Sequence, residues 1–456
     1  MRSLFRKALP AVLAGSALVS AATAFAADPA TPSAPATPAA TTQDLQQQLN
    51  DLQAKVAALQ AQQQSNDQAT MKAVLDDANK RSTFTLEDSI PFATNWQAGK
   101  FMLKSDDGNF TLHPWFQLQF RGVTNYRDDA GTGSSNTDNG FEVRRMKFGV
   151  DGNVINPDTK YLFNWATDRN TGNLVLEEAW LRTKVADDFF VVGGQIKDPF
   201  AHESLVSSKK QLSAERSLIT DFFTGGDNFV QGVGAGYEHD ALQTEIAFTD
   251  GTNEPNRNFQ DFPTNTWDFG VAARVQYKIF GDWAGYDQFS AMGLKNDLLV
   301  VGGGVDLSQG GDTDQVLHTL DIQYGNTMGL AAYAAYYGRY TMNSPKSVTV
   351  TSANENDTYD WGAIGQISYL IPDTKIEPFA RYDYLHFDSD NVAAGARDHA
   401  HEITLGGNYY FHGHDAKFTL DVMYLPDGSP VSDTGSDVLS SNHTEIILQA
   451  QFQLLI

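Results

Sequence analysis

The chain has 456 residues, a formal net charge of −24 and no cysteine. Without cysteine it can form neither disulfides nor thiolate metal sites. The strong negative charge argues against a nucleic-acid partner, because an acidic surface repels phosphate backbones at long range.

The first 26 residues have the pattern of a secretory signal peptide. Arg2, Arg6 and Lys7 precede an apolar stretch, and residues 24–26 give a small–x–small cleavage pattern. The apolar stretch is short and rich in alanine, which disfavours the alternative of a membrane anchor. No later segment approaches the ~18 consecutive apolar residues of a transmembrane helix. We therefore expect export, followed by either a soluble periplasmic fold or a membrane barrel.

Residues 27–42 and 43–64 predict a linker followed by a helix. In the first segment proline recurs every third residue among alanine and threonine, which favours an extended spacer. The second has apolar residues at heptad spacing: Leu45, Leu49, Leu52, Val56 and Leu59. About three heptads are marginal for one helix, so we expect a coiled coil with partner chains, with an isolated amphipathic helix as the alternative. Residues 65–108 are taken as a connecting segment.

From residue 109 to the end at 456, the pattern changes to a period of two. Phe116, Leu118 and Phe120 alternate with Gln117 and Gln119, and similar alternation recurs to the end of the chain. Successive side chains of a strand point to opposite faces, so each segment has one apolar and one polar face.

Three features favour a transmembrane barrel over a soluble β-sandwich. The segments are about 10–14 residues long, the length that crosses a bilayer when a strand is tilted. The chain ends inside a strand, and a barrel needs its last strand to pair with its first because open edges are forbidden in lipid. Aromatic residues lie near segment ends, as interfacial girdles require: Tyr126, Trp180, Tyr277, Tyr340, Tyr369 and Tyr424.

The segments add up to an all-β fold, an antiparallel transmembrane β-barrel of sixteen strands preceded by the N-terminal coiled-coil helix. Short connections alternate with long polar ones, as periplasmic turns alternate with outer loops. Residues 281–297 break this rule, being long where a short turn is expected. The barrel would contact outer-membrane lipid and lipopolysaccharide.

A long loop at residues 198–228 predicts a constriction inside the barrel. Its centre mixes apolar and charged residues, which is unusual for a loop in solvent. The next strand carries Gly232, Gly234 and Gly236 on one face. Glycines on an inner wall would leave room for a packed loop.

The polar strand faces predict a lumen with charges of both signs. The basic residues assigned to it include Arg121, Arg145, Lys147, Arg182 and Arg274. Lys209, Lys210 and Arg216 of the loop could meet them and form an anion-selective ring. From composition alone, this possibility and a wall of scattered charges are equally well supported.

Two segments have distinctive sequences: residues 141–152, Phe-Glu-Val-Arg-Arg-Met-Lys-Phe-Gly-Val-Asp-Gly, and residues 199–217 of the long loop. They resemble the second strand and the third loop of the family of phosphate-selective porins O and P. The resemblance implies a homotrimer of sixteen-stranded barrels that passes phosphate or polyphosphate-type anions. It implies an anion-binding set of seven residues: Arg144, Arg145, Ser207, Ser208, Lys209, Arg216 and Glu178. Adjacent Arg144 and Arg145 can both face the lumen only if the strand has a bulge.

Other functions remain open from the sequence. A general or sugar-type porin would use aromatic residues such as Trp115, although Trp165 falls on the apolar face. An outer-membrane hydrolase is disfavoured, since no nucleophile elbow or Ser-His-acid spacing stands out. The coiled coil could also tether the barrel to periplasmic partners. We expect no catalysis, no cofactor and no metal.

Overall fold

The computed structural model describes residues 96–97, 100–128, 136–256, 267–344, 356–392, 397–430, 435, 437–439 and 443–456, together with Lys55. Residues 1–90 and 91–456 form two separate units. The predicted signal peptide and linker, the coiled coil apart from Lys55, and most of the connecting segment lie outside the described residues. Among the described residues, no helix is long and apolar enough to cross a membrane.

The second unit is built from antiparallel strands. Three short strands come first, namely β1 (Trp96–Gln97), β2 (Lys100–Phe101) and β3 (Leu103–Lys104). Sixteen long strands follow in the described part of the chain: β4 (Thr111–Arg127), β5 (Thr137–Asn153), β6 (Thr159–Thr167), β7 (Leu174–Ala186), β8 (Phe189–Lys197), β9 (Phe229–His239), β10 (Leu242–Thr249), β11 (Phe269–Phe280), β12 (Leu298–Gly310), β13 (Thr313–Gly325), β14 (Leu330–Ser344), β15 (Asn356–Tyr369), β16 (Ile376–His386), β17 (His399–His412), β18 (Ala416–Leu425) and β19 (Glu445–Leu455).

Strands β4 to β19 close into a barrel, which confirms the predicted sixteen-stranded antiparallel barrel. Each strand pairs with the next, and β19 pairs with β4. In this closing pair Phe452 lies opposite Phe120 and Glu445 lies opposite Arg127. Every strand edge is therefore hydrogen-bonded, as a lipid environment demands.

Exposure alternates along the strands as the sequence predicts. In β18, Lys417, Thr419 and Asp421 are buried in the lumen, whereas Leu420 and Val422 are exposed on the outside. An apolar outer face is unfavourable in water but favourable in lipid. The outer rim is defined here as the end of the barrel with the long loops, and the inner rim as the end with the short turns.

Residues 198–228 form the inward loop, which is folded into the lumen. It contains helix α1 (His202–Leu205), a 3-10 turn (Ser208–Lys210) and helix α2 (Leu218–Thr224). Ser217 caps α2 by accepting a hydrogen bond from the Thr220 amide, and Gly225 ends it in a left-handed conformation. The prediction of a loop packed inside the barrel thus agrees with the structure.

Two kinds of contact fix the inward loop. On the wall, Asn408 and Lys417 donate hydrogen bonds to the carbonyls of Leu212 and Gln211, at 2.9 and 2.7 Å. An apolar cluster joins loop residues to lumen-facing residues of β13–β19. Its loop members are Phe200, Ala201, Val206, Leu212, Leu218, Ile219 and Phe223. The apolar centre of the loop is explained by this cluster.

Residues 281–297, which broke the expected alternation of loop lengths, are also folded inward. They contain helix α3 (Trp283–Tyr286). The rings of Tyr286 and His202 stack with centroids 3.8 Å apart, and Phe289 lies edge-on to the same imidazole. The turn is long because it fills the barrel beneath the inward loop.

The three glycines of β9 do not make room for the inward loop, contrary to the expectation. Atoms of neighbouring strands lie closest to all three, and the ring of Phe190 covers Gly236. The close approach occurs at Gly304 of β12, where an added Cβ would lie 2.3 Å from the Phe200 carbonyl oxygen. Alternation along β9 identified glycines that face inward, but it could not show which strand the loop touches.

Candidate functional site

A β-bulge turns two adjacent arginines into the lumen. Arg145 pairs with Gln119 and Val143 pairs with Phe120, so Arg144 is the extra residue between them. A bulge leaves one residue unpaired and re-aims its side chain. The strand thus has the bulge that Arg144 and Arg145 need if both are to face the lumen.

Three arginines of the wall converge on Glu215 of the inward loop. Arg144 Nε lies 2.6 Å from Glu215 Oε1, and Arg145 Nη2 lies 2.7 Å from Oε2. Arg121 Nη1 reaches Oε1 at 2.7 Å. Arg121 also binds Glu142 and Asp437, so its charge is shared among three acids. Arg144 and Arg145, by contrast, share the one carboxylate of Glu215.

A second loop carboxylate, Asp227, is surrounded by three cations. Arg216 Nη2 and Lys197 Nζ lie 2.6 and 3.0 Å from its Oδ1, and Lys147 Nζ lies 3.6 Å from its Oδ2. Lys147 also binds Glu177 at 2.7 Å. Charge-assisted pairs of this kind hold the loop at a fixed distance from the charged wall.

The local potential at both loop carboxylates is positive. Burial alone would raise the pKa of Glu215, but Arg144, Arg145 and Arg121 outweigh it and hold that pKa well below its usual range. Burial likewise opposes ionisation of Asp227, yet Arg216, Lys197 and Lys147 lower its pKa. Since nearby positive charge favours the ionised form, the wall and loop cations keep both carboxylates charged.

A second bulge lies in β7, two strands away from the bulge in β5. Asn164 pairs with Glu178 and Trp165 pairs with Leu176, so Glu177 is the extra residue. Glu177 accepts from Asn164 at 3.0 Å and Glu178 accepts from Trp180 at 3.2 Å. Bulges in β5 and β7 thus bring an arginine pair and a glutamate pair into the same part of the lumen.

Two cavities lie on either side of these charges. The outer cavity, about 490 Å³, is lined by Arg144, Arg145 and Arg216 together with residues of the outer-rim loops. The inner cavity, about 290 Å³, includes Trp115 and Trp180. Four residues line both cavities, namely Lys147, Glu177, Asp227 and Phe229. We call these four shared side chains the neck.

The seven predicted anion-binding residues are divided between the two cavities. The three arginines line the outer one, and Glu178, Ser207, Ser208 and Lys209 line the inner one. Gln117 donates to Ser208 Oγ at 3.3 Å. Lys209 Nζ lies 5.6 Å from the ring centroid of Trp115. The structure therefore brings the seven residues to both sides of the neck and not to one point.

The four predicted wall cations take different positions. Arg121 and Lys147 lie at the charged cluster described above. Arg182 is nearer the inner rim, stacked on Phe190 and paired with Glu238. Arg274 is covered by the inward loop, since it donates to the Phe200 carbonyl at 2.9 Å and binds Asp321 at 2.8 Å.

Several charged residues of the cluster escaped the sequence analysis. Glu215 and Asp227 lie in the predicted loop, but nothing in the sequence indicates that they face the wall arginines. Lys197 ends β8, and Arg169 lies in the β6–β7 turn, where it binds Glu142 and Asp437. The alternation of side chains along a strand predicts which face a wall residue takes. A loop has no such alternation, so the direction of its side chains cannot be predicted in this way.

A family comparison supports the resemblance predicted from the sequence. Residues 116–270 match the model of phosphate-selective porin O and P. A protein of Aquifex aeolicus, described as uncharacterized, is 24% identical over 255 residues, which are 52% of this chain and 60% of that protein. The chain thus spans less than two thirds of that relative's length.

Solved structures share the fold at low sequence identity. An anion-selective porin from Comamonas acidovorans aligns with a TM-score of 0.54 and 10% identity, covering 76% of this chain and 99% of that one. The OmpF porin of Salmonella typhi, solved with daunomycin, aligns with a TM-score of 0.51 and 16% identity, covering 77% and 100%. The solved structures thus share the closed-barrel fold, and the family match covers the part of the barrel that includes the inward loop.

Proposed function

We propose that this chain, with its match to the phosphate-selective porins, is a passive outer-membrane channel for phosphate or polyphosphate-type anions. The observation that carries the proposal is the positive potential at Glu215 and Asp227, where two buried carboxylates are kept ionised by wall and loop cations. Two carboxylates of the protein occupy positions where oxyanions are strongly favoured. A mobile phosphate offers the same kind of acceptor oxygens.

Arg144 is the side chain best placed to meet a passing anion. It protrudes at the bulge, lines the outer cavity and keeps 17% of its side chain exposed. Arg145 is more deeply engaged with Glu215 and with Gln119. An anion would bind by sharing these guanidinium groups with Glu215, which keeps binding weak enough for release.

The neck then governs transfer toward the inner cavity. Lys147 is held by Glu177 and Asp227, and a phosphate reaching it competes with both carboxylates. Beyond the neck, Ser207 and Ser208 supply hydroxyl groups and Lys209 a positive charge. The path is thus a series of exchanges between fixed carboxylates and the mobile anion.

The proposal is tested by single-channel conductance and reversal potential in a planar bilayer, with phosphate titrated into chloride. We expect anion selectivity and a phosphate-dependent fall in chloride current, both weakened in Arg144→Ala. Arg182→Ala is the matched control, because Arg182 lines neither cavity in the described part of the chain. Equal loss in both variants, or cation selectivity without a phosphate effect, would overturn the anion assignment.

A general or sugar-type porin is the second candidate. It is favoured by the carboxylate partners of the cluster arginines, which leave little uncompensated charge, and by Trp115 and Trp180 in the inner cavity. Trp165 does not support it, since it stacks on Phe148 at 5.6 Å on the lipid side. In this case neutral sugars would reduce conductance and phosphate would not.

We also propose a homotrimer in the outer membrane, in contact with lipid and lipopolysaccharide. The support is the heptad pattern of residues 43–64 and the family resemblance. Mass measurement of the unheated, detergent-solubilised protein distinguishes a trimer from a monomer, and a deletion of residues 43–64 shows whether that segment is required.

A further inference from the structure

Two histidines and an aspartate meet on the outside of the barrel, away from the lumen. One nitrogen of His399, one nitrogen of His401 and one carboxylate oxygen of Asp427 lie within 4.8 Å of one another, and all three residues are partly exposed. His399 and His401 begin β17, and Asp427 follows β18, the next strand in the sheet. This cluster plays no part in the proposed channel.

The alternation of side chains along β17 places the cluster on the outer face of the barrel, at the outer rim. Ala400 and Glu402, which alternate with the two histidines, are buried at 1% and 0% exposure. Further along the same outer face, Ile403 and Leu405 are exposed, as lipid-facing residues are. The two imidazoles therefore lie just above the apolar band, where water and ions have access.

Hydrogen bonds already orient both rings for metal binding. Nδ1 of His399 lies 2.8 Å from Asp398 Oδ1, and Nδ1 of His401 lies 2.8 Å from the Tyr382 hydroxyl. Histidines that bind a metal through one nitrogen usually hold the other by such a partner, which fixes the tautomer and the ring plane. Nε2 of each ring is then the nitrogen left to coordinate.

The third ligand is held in place by an arginine. Arg397 Nη1 donates to Asp427 Oδ1 at 2.5 Å. A carboxylate has several acceptor sites and can bind an arginine and a metal at once. The arginine also fixes the start of the loop that follows β18 against the start of β17.

We propose that His399, His401 and Asp427 form a binding site for a divalent transition metal of the zinc class on the outer rim. Two imidazoles with one carboxylate suit Zn²⁺, Ni²⁺ or Cu²⁺, whereas Mg²⁺ and Ca²⁺ prefer oxygen ligands. Three protein ligands leave a fourth position for water or an external oxygen ligand. The metal would join β17 to the loop after β18.

The test is calorimetric titration of Zn²⁺ into the untagged, full-length protein in detergent. We expect one saturable site per chain, at least about tenfold weaker in H399N, H401N and D427N. H239N is the matched control, because His239 pairs with Asp188 at 3.0 Å in the same His–Asp arrangement but at the inner rim. Circular dichroism confirms that each variant retains its β-structure.

Three outcomes would overturn the proposal. The first is the absence of saturable binding to the wild-type chain. The second is an equal loss of affinity in H239N, which would mean unspecific binding to surface histidines. The third is displacement of Zn²⁺ by millimolar Mg²⁺, which would assign the binding to acidic groups. Binding that needs His399 and His401 and resists Mg²⁺ supports the site.

Discussion

The two sides of the lumen differ in how they meet the inward loop. On the filled side, formed by β13–β19, apolar residues such as Leu317, Tyr337 and Met423 face inward and pack on the loop. On the open side, formed by β4–β9, charged residues face inward and line the two cavities. The loop is thus bound by apolar contact and by hydrogen bonds from Asn408 and Lys417 on one side, and by ion pairs on the other.

This difference separates stability from selectivity. Apolar burial is not directional and contributes in proportion to area, so the apolar contacts of the filled side can position the loop without any particular charge. The ion pairs of the open side are directional and mostly buried, so removing one partner leaves a charge uncompensated. They also set the potential along the path. Substitutions on the two sides should therefore give different phenotypes.

The largest effect is expected from Phe200→Ala on the filled side. Phe200 has no exposed surface, and its ring lies edge-on to Tyr337 with centroids 6.3 Å apart. Removing a fully buried ring costs about 3–5 kcal/mol, so we expect an earlier urea unfolding midpoint and a larger, noisier conductance as the loop loosens. Phe248→Ala is the control, since Phe248 faces outward and is 55% exposed. An unchanged conductance in Phe200→Ala would show that the ion pairs alone hold the loop.

A smaller effect is expected from Gly304→Ala in β12, the strand next to the filled side. An added Cβ would lie 2.3 Å from the Phe200 carbonyl oxygen, so the loop or the strand must shift. Overpacking of this kind costs about 1–3 kcal/mol. Gly365→Ala adds the same methyl group where no described atom lies within 4 Å. If the two variants unfold at the same urea concentration, the close approach of loop and β12 is not tight.

The fold was largely predictable from the sequence, and the reason is the period of two. In a barrel each strand has one lipid face, so alternation gives the strands, their number and the face of wall residues such as Arg121 and Lys147. Bulges interrupt that phase, and the adjacent pair Arg144–Arg145 predicted one of them. The adjacent acids Glu177 and Glu178 are the corresponding sequence signal for the bulge in β7.

The candidate site was only partly predictable, because one half lies on regular strands and the other on an irregular loop. The alternation of side chains along the strands predicts the residues of the wall half. The loop half depends on which residues of 198–228 turn toward the wall, and here Glu215 and Asp227, not the predicted serines, meet the arginines. Long-range packing of an irregular segment decides this, and no local pattern encodes it. The same applies to the 281–297 turn, whose length showed an anomaly but not its position under the loop.

A pH-dependent effect is expected from His202, which joins the inward loop to that turn. Burial lowers the pKa of His202 from its ordinary 6.5 to about 4. The unfolded chain therefore binds the proton more readily, and this contribution to stability is complete above pH 6.5 and lost as the pH falls toward 4. At pH 5 the loss is about 2 kcal/mol.

Urea unfolding of the wild type at pH 7 and pH 5 measures this loss. His202→Gln keeps a polar group near Gln323, which lies 2.7 Å from His202 Nε2, and it should flatten the pH dependence. The comparison is between the two pH values within each variant, so a general destabilisation by the substitution does not affect it. An equally steep dependence in His202→Gln would assign the effect to other groups.

A small effect on permeation, and the most specific in function, is expected from Glu215→Gln on the open side. The change removes the shared carboxylate of Arg121, Arg144 and Arg145 while keeping its shape. A unit charge acting over about 4 Å in water is worth ~1 kcal/mol, which corresponds to about fivefold in relative permeability. Anion selectivity, read from the reversal potential in a salt gradient, should therefore rise.

The matched control is Glu402→Gln, the same substitution on the filled side. Glu402 is fully buried and binds Arg381 at 2.7 Å, so Glu402→Gln also removes one lumen-facing carboxylate from an arginine. It lines neither cavity in the described part of the chain, and we expect it to lower stability without changing the reversal potential. If Glu402→Gln shifts selectivity as much as Glu215→Gln, the permeating ion senses the charge of the whole lumen, and the open side has no special role. If only Glu215→Gln shifts it, the path runs past the three arginines, and the loop carboxylate moderates an intrinsic preference for anions.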